Sequence, residues 1–486
     1  MVKGTVSNLI KPEEIKRWKK GDIITIKAGT GDGKSYFIKN RLYASAKKEN
    51  KKILMLIHRV NCVNQFKEEI KRDGKENTID IKTYQSIDYI YSIGGEFNFS
   101  KYQYIVSDEF HYFMSDAAFN KTTDISLNVI LRQTKCIRIF MSATGDYMGR
   151  YIKNLKQLPV IEYELDIDYN FITELNFFNK DEAMESFADE CIERNEKAIF
   201  FIQSATKAYN LYKKYSKYSM FNCGESDKHY KYVDKDKVKD LLAEEGFTEN
   251  ILITTTAFDA GVNITTKNHK EVGHIVLDVE DEGVLIQCLG RRRIDRNVKN
   301  DGIAVYIKNI NNNRLGGLHT QISKRIKKAD YFKTHGNVAY AKKYGRDPDM
   351  SAVVYEEVNS DESNTVKKLN ELMYYKSLID IANIQMMSQS GYMKYMSKLL
   401  DKEYIVIEEK KESEELEVYL NRIVGKKLYK KEQEKLINAI DVRVNGRQQR
   451  SYRKLNEGIN MLKLEYIILP KKSNEVRYWI VEKICR

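Results

Sequence analysis

The chain has 486 residues, too many for one ordinary domain and enough for two or three. Apolar residues make up 42%, so each domain can bury a core, and 82 Lys and Arg against 69 Asp and Glu leave a net charge of +13. That excess calls for a polyanionic partner, while the lack of an apolar run of roughly 18 residues and the charged stretch Met1 to Lys20 lead us to expect neither membrane insertion nor export, and a cytoplasmic location.

From Asp22 to Thr144, short apolar runs alternate with helical stretches. Ile23–Ile26, Ile53–Ile57, Tyr104–Ser107 and Cys136–Met141 read as strands buried on both faces, with amphipathic helices at Ser35–Lys48 and Val60–Lys71. This alternation predicts βαβ units and a parallel sheet. Residues 156–178 break the rhythm and read as a link. The pattern resumes with Ala198–Ile202, Ile251–Thr254, His274–Asp278 and Ile303–Ile307, between which lie helical segments such as Val233–Glu245 and Val284–Leu289. After about Asn311 the strands thin out; residues 363–435 read as mainly helical, with Glu408–Glu417 as a solvated charge run. Helices near Lys431–Ile440 and Tyr452–Lys463, then β runs at Tyr466–Leu469 and Val476–Val481, follow the order of a winged-helix module, an order many small domains share. The expected division is 1–160 and 161–310 for two α/β lobes, 311–430 for a helical accessory region rich in cations and aromatics, and 431–486 for the winged-helix module.

The six cysteines, Cys62, Cys136, Cys191, Cys223, Cys288 and Cys485, never form a C-x-x-C pair, and the seven histidines show no H-x-x-x-H spacing. Zinc ribbons, disulfide scaffolds and histidine-based metalloenzymes are therefore not expected.

Directly after the first strand comes Ala28-Gly29-Thr30-Gly31-Asp32-Gly33-Lys34-Ser35, a P-loop pattern with alanine in place of the first glycine. Average residue frequencies yield only roughly 0.04 such matches in a chain of this length. Its glycines let backbone N–H groups converge on phosphate oxygens, Lys34 neutralises charge on them, and Ser35 offers a hydroxyl to Mg2+. Another acid should follow a second strand, and Tyr104–Ser107 leads into Asp108-Glu109-Phe110-His111. Asp108 is placed to hold Mg2+ and Glu109 to orient or deprotonate an attacking water.

An Asp-Glu-x-His sequence after a P-loop resembles the DExH-type helicases of superfamily 2. Further motifs fall in that family's order over roughly Asp22 to Ile307: Lys82-Thr83-Tyr84-Gln85-Ser86, Ser142-Ala143-Thr144, Phe200 to Thr206, Thr255 to Asn263, and Gln287-Cys288-Leu289-Gly290-Arg291. The resemblance implies an α/β fold of two RecA-like parallel-sheet lobes, followed here by a mostly helical C-terminal region. It implies ATP and Mg2+ in the cleft, with Gly29, Thr30, Gly31, Asp32, Gly33, Lys34 and Ser35 on one side and Gly261, Asn263, Arg291 and Arg293 on the other. Lys34, Asp108, Glu109, Gln287 and Arg291 form the catalytic set, and Ser35 and Asp108 the metal ligands. Arg59, Thr83, Gln85, Ser204 and Thr255 are the implied contacts to a nucleic-acid strand across both lobes. Arg447 and Arg450, beside the second helix of the terminal module, are added as further contacts from their charge and place. Lysine- and isoleucine-rich, proline-poor composition fits an AT-rich bacterial genome, a phage or a mobile element.

Three departures stand out. Ile294 occupies the position where many members of the family carry a finger arginine, which leaves Arg293 or Arg296. No glutamine occurs in the first 50 residues, so strict ATP preference is an assumption. His58-Arg59-Val60 lacks the usual proline. Between Arg325 and Arg346, Tyr331, Phe332, Tyr340 and Tyr344 interleave with lysines, either to stack on bases or to pack inward along an amphipathic helix. The expected activity is ATP-driven translocation on, and unwinding of, DNA. The alternatives are a translocase or remodelling ATPase on duplex DNA, an RNA helicase, and an ATP-gated clamp that recruits a replication or defence protein through residues 363–486.

Overall fold

The computed structural model describes residues 4–58, 60–118, 123–256, 263–265, 271–294, 301–345, 353–358, 365–444, 447–473 and 476–484. It divides into two compact units, Met1–Leu175 with Lys180–Glu403, and Asn176–Asn179 with Tyr404–Arg486.

The first unit opens with six strands: β1 (Ile23–Lys27), β2 (Lys52–Ile57), β3 (Ile79–Thr83), β4 (Tyr102–Asp108), β5 (Ile137–Ser142) and β6 (Ile161–Glu164). They form one parallel sheet in the order β3-β2-β4-β5-β1-β6. Side chains alternate between its faces, as the two-residue strand period requires. Ile24, Ile26, Ile53, Met55, Val106 and Ile139 fill one side, and Ile23, Leu54, Leu56, Ile105 and Phe140 the other. The order places the ends of β1, β5 and β4 side by side, so the P-loop, Ser142–Thr144 and Asp108–His111 emerge together. Ligands of open α/β sheets bind at such carboxyl ends.

A second sheet follows, built from β7 (Ile172–Phe178), β8 (Lys197–Ile202), β9 (Ser219–Asn222), β10 (Ile251–Thr254), β11 (Val272–Asp278) and β12 (Ile303–Lys308) in the order β7-β12-β11-β8-β10-β9. The pairs from β12 to β9 are parallel. The two lobes are therefore RecA-like parallel sheets. Residues 156–178, which read as a link, supply a strand to each sheet. β6 is Ile-Glu-Tyr-Glu with most of its residues exposed, an edge strand with no apolar run to reveal it.

Beyond β12 a helical arm returns to the first lobe. Helix Asn312–Tyr344 breaks at Gly336, where φ is +75°, and is followed by the antiparallel pair β13 (Val354–Val358) and β14 (Thr365–Leu369) and by helices Glu371–Ser390 and Tyr392–Leu400. Ala329, Tyr340, Leu372 and Met373 join the hydrophobic cluster on one face of the first sheet. Tyr340 is fully buried against Phe332 and Tyr344, with ring centroids 5.6 and 5.0 Å away, and Lys343 Nζ lies 3.9 Å from the Tyr331 ring. Of the two readings of this aromatic stretch, inward packing describes Tyr340, and the nearby lysines cover the rings.

The second unit has its own core, in which Leu416, Leu420, Leu436, Leu455, Ile459, Ile468 and Val481 pack together. It contains β15 (Tyr404–Val406), helices Ile407–Ile423, Lys430–Ile440 and Tyr452–Met461, a short pair, β16 (Arg443–Val444) with β17 (Arg447–Gln448), and a hairpin, β18 (Tyr466–Ser473) with β19 (Val476–Lys483). No helix among the described residues is long and apolar enough to cross a membrane.

One buried acid gives the first lobe a measurable pH dependence. Asp88, only 5% exposed, accepts from the Ser126 backbone N–H at 2.9 Å, while its Oδ2 is buried with no hydrogen-bond partner. Burial pushes its carboxyl up to about 6, against the pull of the Ser126 bonds. Because the folded value lies above the unfolded one, its contribution to stability is complete below about pH 4 and lost as pH rises through about 6, a difference on the order of 2–3 kcal/mol. Urea unfolding at pH 4.5 and 7.5 should show a smaller pH dependence for Asp88→Asn by that amount; equal slopes for variant and wild type would refute the assignment.

Candidate functional site

The P-loop turns on two left-handed glycines, Gly31 at φ +88° and Gly33 at φ +86°, a conformation that side chains with a Cβ resist. The turn brings Lys34 back, 7% exposed, to donate to the carbonyls of Ala28 at 2.8 Å and Gly29 at 3.2 Å. Asp32 folds its buried carboxylate over Gly29, and its carbonyl accepts from the Val6 N–H at 3.0 Å, so the N-terminal turn Val6–Leu9 braces the loop. Thr30 stands on the side of the second lobe, and Ser35 follows Lys34 in the first helical turn.

At the end of β4, Asp108 and Glu109 stand next to each other. Glu109 has φ +49°, a strained value for a residue with a side chain. The peptide that follows it is tied at both of its polar groups: Phe110 N–H donates to the Met141 carbonyl at 3.1 Å and Tyr112 N–H to the Glu109 carbonyl at 2.9 Å. Burial pushes the Asp108 carboxyl up, and the charge of Glu109 pushes it further. Burial also works against ionised Glu109, but Lys34, a hydrogen bond with His111 and the charge of Arg291 hold its carboxyl well below the usual range. Of the two, Glu109 is the one kept ionised and Asp108 the one that needs a cation.

A one-way chain of hydrogen bonds runs from the second lobe to Glu109. Gln287 Nε2 donates to His111 Nε2 at 2.7 Å, which leaves the ring proton on Nδ1 to donate to Ser142 Oγ at 2.7 Å. Ser142 Oγ donates to Glu109 Oε2 at 3.3 Å. Thr144 joins from the side, its Oγ1 accepting from Gln287 Nε2 at 3.2 Å. Helix Glu282–Leu289, which carries Gln287, starts at Asp281, whose Oδ1 accepts from the Val284 N–H at 3.0 Å. The other Asp281 oxygen takes Lys376 Nζ from the arm at 3.0 Å, and Lys376 also holds both oxygens of Asp380 at 3.0 Å. The arm meets the first lobe through Lys156 to Glu371 at 3.0 Å and Asn383 to the Tyr147 hydroxyl at 2.8 Å. Sequence reasoning missed this strap; the Lys376 and Asp380 spacing of four was its one visible trace.

The second lobe approaches closely enough that a Cβ on Gly290 would stand 2.6 Å from Thr30 Oγ1. The three arginines that follow have different places. Arg291 Nε bonds back to the Gln287 carbonyl at 3.2 Å. Arg292 turns into its own lobe, where Nη1 meets Asp301 at 2.6 Å and Nη2 meets both Asp301 and, at 2.5 Å, Glu271. Arg293 Nε donates to Asn263 Oδ1 at 2.8 Å, and its Nη1, buried with no hydrogen-bond partner, lies 3.9 Å from where a Gly31 Cβ would be. Burial and the charge of Arg291 bring the Arg293 guanidinium down to about 10, opposed by Glu109 and Glu245.

The structure thus brings Thr30, Gly31, Lys34, Glu109, Gln287, Arg291 and Arg293 into one neighbourhood, with Asn263 holding Arg293. The residues expected to touch a strand stand elsewhere. Thr83 and Ser204 are helix N-caps, accepting from the N–H groups of Ser86 at 3.0 Å and Lys207 at 3.3 Å. Gln85 is exposed, and Thr255 is buried after β10, its N–H donating to the Asn222 carbonyl at 3.1 Å. In the second unit Arg447 lies in β17 and Arg450, exposed, precedes helix Tyr452–Met461. Arg59, Gly261 and Arg296 lie outside the described residues.

The donor set fits a hard cation brought in by a phosphate substrate. Ser35 and Asp108 offer oxygen, Lys34 acts on both carboxylates, and no group of three or more His, Cys, Asp or Glu among the described residues could hold a resident metal.

No family model matches the sequence, and no curated protein matches it. The chain is similar in fold to solved structures. S. cerevisiae Dbp5 bound to RNA and ADP BeF3 is 17% identical with a TM-score of 0.45, over 63% of this chain and 85% of that one. The Pyrococcus furiosus Hef helicase domain is 13% identical with a TM-score of 0.37, over 61% and 94%. The Escherichia coli DEAH/RHA helicase HrpB is 14% identical with a TM-score of 0.42, over 64% and 45%.

Arg292 and Asp301 are each 1% exposed at the side chain, so removing one partner strands a buried charge. Asp301→Ala should cost about 3 kcal/mol in denaturant unfolding. Glu271→Ala, whose partner keeps Asp301, should cost about 1 kcal/mol or less. Equal losses would contradict the pairing.

Proposed function

We propose that the chain is a nucleic-acid-dependent ATPase of the superfamily 2 kind, a helicase that couples hydrolysis to movement along a strand. The observation that carries this is the hydrogen-bond chain from Gln287 through His111 and Ser142 to Glu109, beside Gly290 and Arg293 at the P-loop. A nucleotide-hydrolysing centre whose parts come from two lobes makes lobe closure and hydrolysis depend on each other. A phosphate store or a permanently bound nucleotide would have no use for a water-orienting carboxylate wired to the opposite lobe.

In this reading the P-loop amides and Lys34 hold the β- and γ-phosphates. Ser35 and Asp108 hold Mg2+, which when bound draws charge from the phosphate oxygens. Glu109, kept ionised, orients the attacking water and accepts its proton. Gln287 orients the His111 ring with Nδ1 toward Ser142, so that Ser142 donates to Glu109 rather than competing for the water. Arg293 reaches the γ-phosphate in place of the arginine that Ile294 lacks: its free Nη1 is aimed at the loop, and Asn263 sets its angle. Thr83, Gln85 and Ser204 meet backbone phosphates without reading bases, while Thr255, buried, stays behind them. DNA is the strand we favour, because the second unit pairs a helix–helix–hairpin order with exposed cations such as Arg450 and Lys472.

Phosphate release from ATP by the purified chain, with single-stranded DNA, duplex DNA or RNA added, tests this. One strand type should stimulate, Lys34→Ala should be inactive, and Glu109→Gln should lose about 100-fold or more in kcat while still binding ATP. Arg293→Ala should lose roughly 1000-fold in kcat with little change in nucleotide affinity. Wild-type turnover indifferent to every nucleic acid would overturn the proposal, with duplex-only stimulation pointing to a translocase that does not unwind.

A further inference from the structure

The stretch Lys82–Ser86 contains one residue that the proposed strand contacts leave unexplained. Tyr84, between Thr83 and Gln85, is fully buried, and its hydroxyl donates to the Asp108 backbone carbonyl at 2.8 Å. That carbonyl belongs to the peptide joining Asp108 to Glu109. The orientation of this peptide plane sets the φ of Glu109, the strained +49°. On the far side, Glu109 is held by backbone bonds that reach β5 and the following turn, so the Tyr84 hydroxyl is the hold that comes from the β3 end.

The ring of Tyr84 is itself part of a column. It stacks on Tyr112 at 5.1 Å with planes 6° apart, Tyr112 stacks on His58 at 5.3 Å, and Phe113 meets the Tyr84 ring edge-on at 4.6 Å. The ends of β2, β3 and β4 are joined by one packed aromatic file, whose members also flank Asp108 and Glu109. Burial holds the Tyr84 phenol well above its ordinary pKa, so it is a donor at every working pH. Packed aromatic files move as units, since a displaced ring forfeits its contacts at once.

We propose that Tyr84 is a positioning residue that reports strand binding to the hydrolytic centre. Resting on the function proposed above, a strand seated at Thr83 and Gln85 moves the first turn of helix Tyr84–Ser92. The Tyr84 hydroxyl then turns the Asp108–Glu109 peptide and brings the Glu109 carboxylate into line with the attacking water. Thr83 caps that same turn through the Ser86 N–H, so a phosphate on the cap and the bond to Asp108 share one rigid element. No bond is made or broken in this step; it selects the Glu109 orientation in which proton transfer is efficient.

Tyr84→Phe tests it, because it keeps the ring and the stack and deletes only the hydroxyl. Strand affinity is measured by fluorescence anisotropy, KM for ATP and kcat with and without saturating strand by phosphate release, and integrity by thermal melting. The ratio of strand-saturated to strand-free kcat should fall about tenfold, the worth of one well-placed hydrogen bond, while strand affinity and KM for ATP stay within about twofold. A full stimulation ratio in the variant overturns the proposal. So does a tenfold loss of strand affinity, which would make Tyr84 part of the strand site and not a relay. If wild type itself is not stimulated by any nucleic acid, the underlying function fails and the relay with it. The two failures are thus read in different proteins.

Discussion

Two carboxyl groups on adjacent residues, both drawn into the end of β4, set the terms for everything around them. Like charges this close in a low-dielectric site cannot both be ionised without cations to answer them. Asp108 and Glu109 resolve this by moving apart in acidity, one carboxyl raised and the other lowered. Lys34 acts on both, and it can do so only because Gly31 and Gly33 curl the loop back past the end of β1. The sheet order completes the arrangement: β5 lies between β1 and β4, so Ser142 is the neutral donor standing between cation and acid.

The same pair explains why the second lobe comes so close. Arg291 contributes to holding Glu109 ionised, and Arg293, half-buried beside another guanidinium, is drawn toward it. Such cations are costly to desolvate unless an anion is near. Gly290, with no side chain to collide with Thr30, permits the approach, and the Gln287 to His111 bond at 2.7 Å fixes its register. The arm adds a third hold. Lys376, half-buried between Asp281 and Asp380, grips the N-cap of the helix that carries Gln287, while the same arm helix is tied to the first lobe at Glu371 and Asn383. Any change in lobe spacing must therefore be felt along the arm.

Much of this was legible in the sequence, for reasons of physics. The strands buried on both faces are continuous apolar runs, and the glycine-rich turn before Lys34 is a local pattern, so both announce themselves. β6 did not, because an edge strand that faces water on most of its length carries Glu and Tyr and no run. Arg138 is buried at the second position of β5, where its two Nη groups donate to the backbone carbonyls of Leu131 and Gly21, and composition gives no hint of such a tolerated charge. Thr83 and Ser204 were read as phosphate contacts, and the structure adds that they cap helices, a role that short polar side chains at strand ends fill equally well. The arm escaped because its hold on the lobes is made by single side chains separated by more than 90 residues.

The three consecutive arginines show what a linear motif cannot convey. Arg291, Arg292 and Arg293 are chemically identical and adjacent, yet one bonds to its own helix end, one enters a buried ion pair, and one faces the P-loop. The choice follows from the backbone. Asn263–Thr265 runs beside Arg291–Arg293, with Ile264 N–H bonded to the Arg291 carbonyl at 2.9 Å and Arg293 N–H to the Ile264 carbonyl at 2.8 Å. Extended pairing of this kind sends successive side chains to opposite faces. If Arg292 goes inward to Asp301, Arg293 must go outward, toward Gly31. The buried pair is thus what aims Arg293, and Ile294, one step further on, falls on the wrong face to do the same work whatever its side chain.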